Sequence, residues 1–86
     1  MCTYSTEKVA LARSSGKTRD GWQAMSEATV YYDHPVHAPD AHTVNIDFLA
    51  PERGPGSRIA VELSLDSARE LLAALATTVE RATFHM

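Results

Sequence analysis

The segment from Asp33 to His42, DHPVHAPDAH, holds three of the chain's four histidines together with two carboxylates. Imidazole nitrogens and carboxylate oxygens are common ligands of zinc, with zinc–nitrogen distances of about 2.0–2.1 Å. The histidines follow the pattern His-x2-His-x4-His, which matches neither the zinc-finger spacing nor HExxH. The segment therefore predicts a site for a divalent transition metal, with zinc as the preferred ion. The spacing does not indicate which known class of zinc site this is. The candidate ligands are His34, His42, His37, Asp40 and Asp33.

Cys2 is a further candidate ligand, because a thiolate is a soft donor that suits zinc. It is the only cysteine of the chain, so an internal disulfide is excluded. Whether Cys2 reaches the histidines depends on the order of the strands, which the sequence leaves open. The alternative is a passive thiol that packs as a small apolar side chain.

The histidines also have two interpretations without a metal. They can be ordinary hydrogen-bonded side chains at the edge of the core, or an acid–base pair with a neighbouring carboxylate. Three functions follow from these interpretations. The first is a small metal-binding protein, including a metalloenzyme that acts on a small molecule. The alternatives are a metal-free acid–base enzyme of isomerase, cyclase or lyase type, and a non-catalytic homo-oligomeric binding module.

Alternating apolar and polar residues on both sides of this segment are typical of two strands joined as a β-hairpin. If residues 28–34 pair with residues 42–48 so that His34 lies opposite His42, the apolar side chains share one face. A shift by one residue would put the two apolar sets on opposite faces, so the pattern favours this register. Directly opposed residues have Cβ atoms about 4.5–5.5 Å apart, which places the two imidazoles side by side. The apolar pairs in this register are Ala28–Phe48, Val30–Ile46 and Tyr32–Val44.

The remaining segments supply the elements that position this hairpin. Four segments have strand-like composition, namely 3–12, 22–34, 42–49 and 58–63. Three segments rich in Gly, Pro and polar residues predict loops, namely 14–21, 35–41 and 50–57. Because the connections are short, the pattern favours an antiparallel arrangement of the four strands.

The last segment predicts an amphipathic helix that begins after Ser64, a good N-cap, with Asp66 near the positive end of the helix dipole. Its apolar residues recur at helical spacing and form one stripe. They are Ala68, Leu71, Leu72, Leu75, Val79 and Ala82. The sequence therefore predicts one α+β domain over residues 1–86, a four-stranded antiparallel sheet with one C-terminal helix packed on one face (ββββα).

The opposite sheet face is predicted to be polar, with Tyr31, Asn45 and Asp47 as its central residues. A solvated face is one interpretation, with Asn45 hydrogen-bonded to Tyr31; a ligand surface or subunit interface is the other. Trp22 is expected in the core or in an interface, since tryptophan buries a large area. A thin two-layer domain leaves one face and an edge strand open, which favours a homodimer.

Composition excludes several classes of partner. The chain has 86 residues, 44% apolar and 22% charged, with a net charge of −3 and scattered basic residues. This charge argues against nucleic acid, whose binding depends on clustered Lys and Arg. No run approaches the ~18 apolar residues of a membrane span, and charges near the N-terminus exclude a signal-peptide core. We therefore expect a cytoplasmic protein without nucleic-acid or membrane partners.

Several segments resemble a family of small actinobacterial proteins that has no established activity. They are MCTY, TEK, SEATVYYDHPVHAP, HTVNIDF and GPGSRIAVELS. The resemblance covers most of the chain except ARSSGKTRDG. It implies a bacterial, cytosolic origin, and it assigns no functional residue.

Overall fold

The computed structural model describes residues 5–34, 42–50, 52, 54 and 57–85. This part of the chain forms six strands and one helix. They are β1 (Ser5–Ala10), β2 (Ser15–Thr18), β3 (Gly21–Ala24), β4 (Glu27–Asp33), β5 (Thr43–Leu49), β6 (Ile59–Leu63) and α1 (Leu65–Phe84). The α+β class with an antiparallel sheet and a C-terminal helix is confirmed.

The main sheet has four antiparallel strands in the order β1-β4-β5-β6. The predicted pairing of β4 with β5 is confirmed residue by residue, with Ala28 opposite Phe48 and Tyr32 opposite Val44. The alternation of apolar side chains fixes this register, because a shift by one residue would turn half of them to the other face. The face that carries these side chains is called the apolar face below.

A second, two-stranded sheet of β2 and β3 corrects the ββββα order. Residues 14–21 are not a loop, and the long strand predicted from residue 22 is divided into β3 and β4. The Thr18 hydroxyl stabilises the β2–β3 turn, since it donates to Gly21 O at 3.1 Å and accepts from Gln23 Nε2 at 2.8 Å. Gly21 has a φ of 112°, a region that glycine reaches without a steric cost.

Met25 and Ser26 separate the two sheets. The Met25 N–H donates to Ser14 O on the hairpin side, whereas the Ser26 N–H donates to Leu49 O on the main sheet. The Met25 side chain is only 3% exposed. A methyl group built on Gly16 would lie 2.9 Å from Ile59 Cδ1 and 3.0 Å from Met25 Cε. The hairpin therefore packs closely against the β6 end of the apolar face.

Helix α1 begins where the sequence predicts. Ser64 is the N-cap, and its Oγ accepts from the Ser67 N–H at 3.2 Å, while Asp66 lies in the first turn. The packing of the helix differs from the prediction, because Ala68 alone is half-buried and every other residue of this fully described helix is exposed. Within one chain the helix therefore does not cover the apolar face. Among the described residues, no helix has the length and apolar content needed to cross a membrane.

The polar face of the sheet is also different from its predicted solvated state. Asp33, Thr43 and Asn45 are buried there, with Thr43 fully buried. On the apolar face, Val9 and Val61 remain exposed. Trp22 is 70% exposed, so it is not a core residue of the single chain. In the described part of the sheet, the polar face thus holds more buried residues than the apolar face.

Candidate functional site

His34 and His42 form a pair at one end of the β4–β5 hairpin. Their ring centroids are 4.5 Å apart, and the ring planes are inclined by 33°. The Tyr32 ring stacks on His42 with a centroid distance of 5.6 Å and an interplanar angle of 26°. His34 is exposed and His42 is half-buried, so solvent reaches the pair from the His34 side.

The two strands place this pair through their alternation. β4 ends at Asp33 and β5 begins at Thr43, and these two residues are opposite each other. The next residues outward, His34 and His42, therefore return to the apolar face with Tyr32. The predicted juxtaposition of the two imidazoles is confirmed.

Asp33 is not brought to the imidazoles. It is buried on the polar face, and its Oδ1 accepts the His34 backbone N–H at 2.7 Å. Within the ranges that the structure describes, no three His, Cys, Asp or Glu residues are grouped so that they could hold a metal ion. The other predicted ligands, His37, Asp40 and Cys2, lie outside the described residues, and their roles stay predictions.

The distance between the rings is compatible with a shared metal ion. A zinc-bound nitrogen lies about 2.0–2.1 Å from the metal, which puts the ring centroid about 3 Å from it. Two imidazoles in a tetrahedral site then have centroids about 5 Å apart. The observed 4.5 Å is close to this value.

The strand order, which the sequence left open, bears on Cys2. β1 pairs with β4 so that Ser5 lies opposite Tyr32. The first described residue of β1 is therefore at the histidine end of the sheet. This order is compatible with the predicted participation of Cys2, which stays a prediction because Cys2 lies outside the described residues.

A second cluster of ionisable groups lies on the polar face. Arg58 Nε is 3.1 Å from Asp47 Oδ2, and the Tyr31 hydroxyl donates to the same oxygen at 3.2 Å. The Asp47 side chain is 14% exposed, and its Oδ1 is buried and has no hydrogen-bond partner among the described residues. The carboxylate is therefore held by Arg58 and Tyr31 through a single oxygen.

Sequence reasoning missed this cluster. It expected Tyr31 to bond with Asn45, directly opposite, and Asp47 to be solvated. Instead the Tyr31 hydroxyl bonds diagonally to Asp47, and Asn45 Oδ1 accepts from the buried Thr43 hydroxyl at 2.7 Å. Arg58 precedes β6 and also reaches Asp47 diagonally, since Ile59 lies opposite Phe48. Diagonal neighbours on a sheet face are within reach of long side chains, which is the signal that could have found the cluster.

Burial raises the pKa of the Tyr31 phenol above its ordinary value of 10.0, and the negative charge of Asp47 and the hydrogen bond to it add to this rise. The positive charge of Arg58 and its hydrogen bond act in the opposite direction. The folded state thus favours the neutral phenol. The stability that this group contributes is fully present below pH 10 and is lost as the pH rises through the raised pKa.

We therefore expect wild-type protein to lose stability in alkaline solution more steeply than Tyr31→Phe. Urea unfolding at a series of alkaline pH values measures the two slopes. Spectrophotometric titration of tyrosinate isolates the group, because subtracting the Tyr31→Phe curve from the wild-type curve leaves the ionisation of Tyr31. A difference curve with its midpoint at or below pH 10 would contradict the expectation.

No curated protein and no solved structure matches the chain. One family model, described as a family of unknown function, matches residues 1–86. The resemblance to a family without established function is confirmed, while its actinobacterial origin stays a prediction. The match extends over the whole sequence, and the chain accordingly belongs to DUF6295, a family of unknown function.

Proposed function

We propose that this protein binds a divalent transition metal ion, zinc first, through His34 and His42. The observation that supports the proposal is the 4.5 Å distance between the centroids of the two rings. Strand pairing fixes the backbone beside both histidines, since Asp33, which precedes His34, lies opposite Thr43, which follows His42. A pair with fixed positions loses little conformational freedom when it takes up an ion, which favours binding.

The remaining ligands in this proposal come from residues 35–41 and from the N-terminus. His37 is three positions from His34, and Asp40 is two positions from His42. An extended chain spans at most about 3.3–3.6 Å per residue. The chain length therefore limits the Cα–Cα distance to about 11 Å between His37 and His34 and to about 7 Å between Asp40 and His42. Cys2 is three positions before Ser5, which lies at the histidine end of the sheet. Asp33 is left out, because its carboxylate serves the His34 N–H on the other face.

The chemistry available to such a site depends on how many ligands the protein supplies. Four protein ligands would make a closed, structural site, whereas three with one open position would admit water or a small molecule. We propose the second form, in a cytoplasmic protein, because His34 is exposed to solvent. The open position would then bind a small molecule that carries an oxygen, nitrogen or sulfur donor.

Elemental analysis of the protein, expressed without a histidine tag and measured as purified, tests the proposal. We expect about one zinc or other transition metal ion per chain. His34→Ala and His42→Ala should each lose most of the metal, because either change removes half of the described ligands. His85→Ala is the matched control, since His85 follows helix α1 and lies outside the pair. It should retain the metal.

Titration with Co2+ gives a second readout, because its visible absorption reports coordination number. A wild-type protein that is metal-free as purified and takes up neither Zn2+ nor Co2+ would contradict the proposal. So would equal metal content in wild type and in the double variant His34→Ala/His42→Ala. Circular dichroism of each variant establishes that the sheet and the helix are still formed.

A further inference from the structure

One side of helix α1 carries a stripe of large apolar side chains. Leu71, Leu72, Leu75 and Val79, called the helix stripe here, recur at helical spacing on one side of the helix. They are between 46% and 67% exposed. Such a contiguous apolar row is rare on a monomer and marks a contact surface.

The helix needs a contact surface for its own stability. Helix α1 has 20 residues, and in proteins most of the stability of a helix comes from packing of its apolar side rather than from helix propensity. Inside one chain only Ala68 in the second turn is half-buried. The apolar face of the sheet is also incompletely covered, since Val9 and Val61 are exposed.

The chain exposes more surface than a compact monomer of its mass. The chain exposes 6671 Å2. A compact monomer of 9.4 kDa is expected to expose about 5,000 Å2. The radius of gyration of 14.2 Å is likewise above the value of about 12 Å expected for 86 residues. The excess of roughly 1,600–1,700 Å2 per chain, hidden between two chains, would bury about 3,300 Å2, which is typical of obligate homodimers.

We infer that a second copy of this chain covers the helix stripe. One chain presents both an uncovered apolar helix and an uncovered part of an apolar sheet face, so a two-fold arrangement can cover both surfaces of both copies at once. The matching area favours a second copy over a small peptide, which could not hide the excess. This interface differs from the polar face around Tyr31, where Asn45 and most of Asp47 are already buried.

Light scattering after size exclusion tests the inference on the full chain. Wild-type protein should have about twice the mass of 9.4 kDa at micromolar concentration. Leu75→Glu and Leu72→Glu should halve the measured mass, because a carboxylate would be buried in the interface. Thr77→Glu is the matched control. It adds the same charge to the same helix on the side opposite the stripe, and it should leave the mass unchanged.

A second measurement covers the case in which the variants unfold. The melting temperature of a wild-type dimer should rise with protein concentration, because association stabilises only the folded state. Chelator should not change the mass, since the helix stripe contains no metal ligand. A wild-type monomer, an unchanged mass for Leu75→Glu, or a melting temperature independent of concentration would each overturn the inference. A mass halved by chelator would do so too, and would assign pairing to the metal instead.

Discussion

Met25→Ala is expected to lower the free energy of unfolding by about 2–5 kcal/mol, the range measured for truncating buried Leu, Ile or Met side chains. Met25 is 3% exposed and lies beside Gly16, where the β2–β3 hairpin meets Ile59 of the main sheet. Gly16 has no side chain with which to fill the space that the shorter residue would leave. Small domains have a total stability of about 5–15 kcal/mol, so this loss would be a large fraction of it.

Urea unfolding followed by fluorescence measures this effect. Trp22 is the only tryptophan and lies in β3, so its emission reports on the hairpin directly. Met25→Leu is the matched control, because swaps that conserve volume usually cost less than about 1.5 kcal/mol. If Met25→Ala and Met25→Leu unfold at the same urea concentration, the hairpin does not depend on this contact.

Arg58→Met is expected to cost about 1–3 kcal/mol, because it leaves the Asp47 carboxylate with the Tyr31 hydroxyl as its remaining described partner. Fully buried ion pairs lose about 3–5 kcal/mol when one partner is removed. The Arg58 side chain is 47% exposed, so water partly replaces it and the lower range applies. Asp47 Oδ1 is buried and has no hydrogen-bond partner in the part of the chain that the structure describes, which increases the cost.

A double-mutant cycle in urea separates the pair from its surroundings. The double variant Arg58→Met/Asp47→Leu should lose less free energy of unfolding than the two single variants lose in sum, because no buried charge is left without a partner. Arg69→Met is the control: its contact with Asp66 is 3.5 Å long and both side chains are exposed, so a change within about 0.5 kcal/mol is expected. Equal losses for Arg58→Met and Arg69→Met would show that Asp47 does not need Arg58.

The elements that were predicted correctly from the sequence are those in which the spacing of apolar residues or a capping residue is unambiguous. Two alternating segments fix the β4–β5 register because a single shift would mix the faces, and the resulting partners are those observed. The helix start at Ser64 is equally clear, since a capping hydroxyl precedes 20 residues without Gly or Pro. The same register predicts the His34–His42 pair, so the sequence indicates the geometry of the pair without indicating its function.

The errors have local physical causes. Strand β2 has only four residues, Ser15–Thr18, with the sequence SGKT, so its composition resembles a loop, and backbone pairing with β3 around Thr18 decides the outcome. An apolar stripe on a helix predicts that some surface covers it, and it does not say whether that surface belongs to the same chain. The Tyr31–Asp47–Arg58 cluster was missed because directly opposed pairs were considered before diagonal ones.

The contact between Arg58 and Asp47 helps to set the register of β6 against β5. Ile59, Val61 and Leu63 repeat at every second position, so sliding the strand by two residues would still present an aliphatic side chain at most of the same points. Such a slide moves the strand by about 6.6–6.8 Å along its neighbour. It would carry the guanidinium away from the carboxylate, from which it is now 3.1 Å distant. The ion pair therefore distinguishes between two strand registers whose hydrophobic packing would be nearly equivalent.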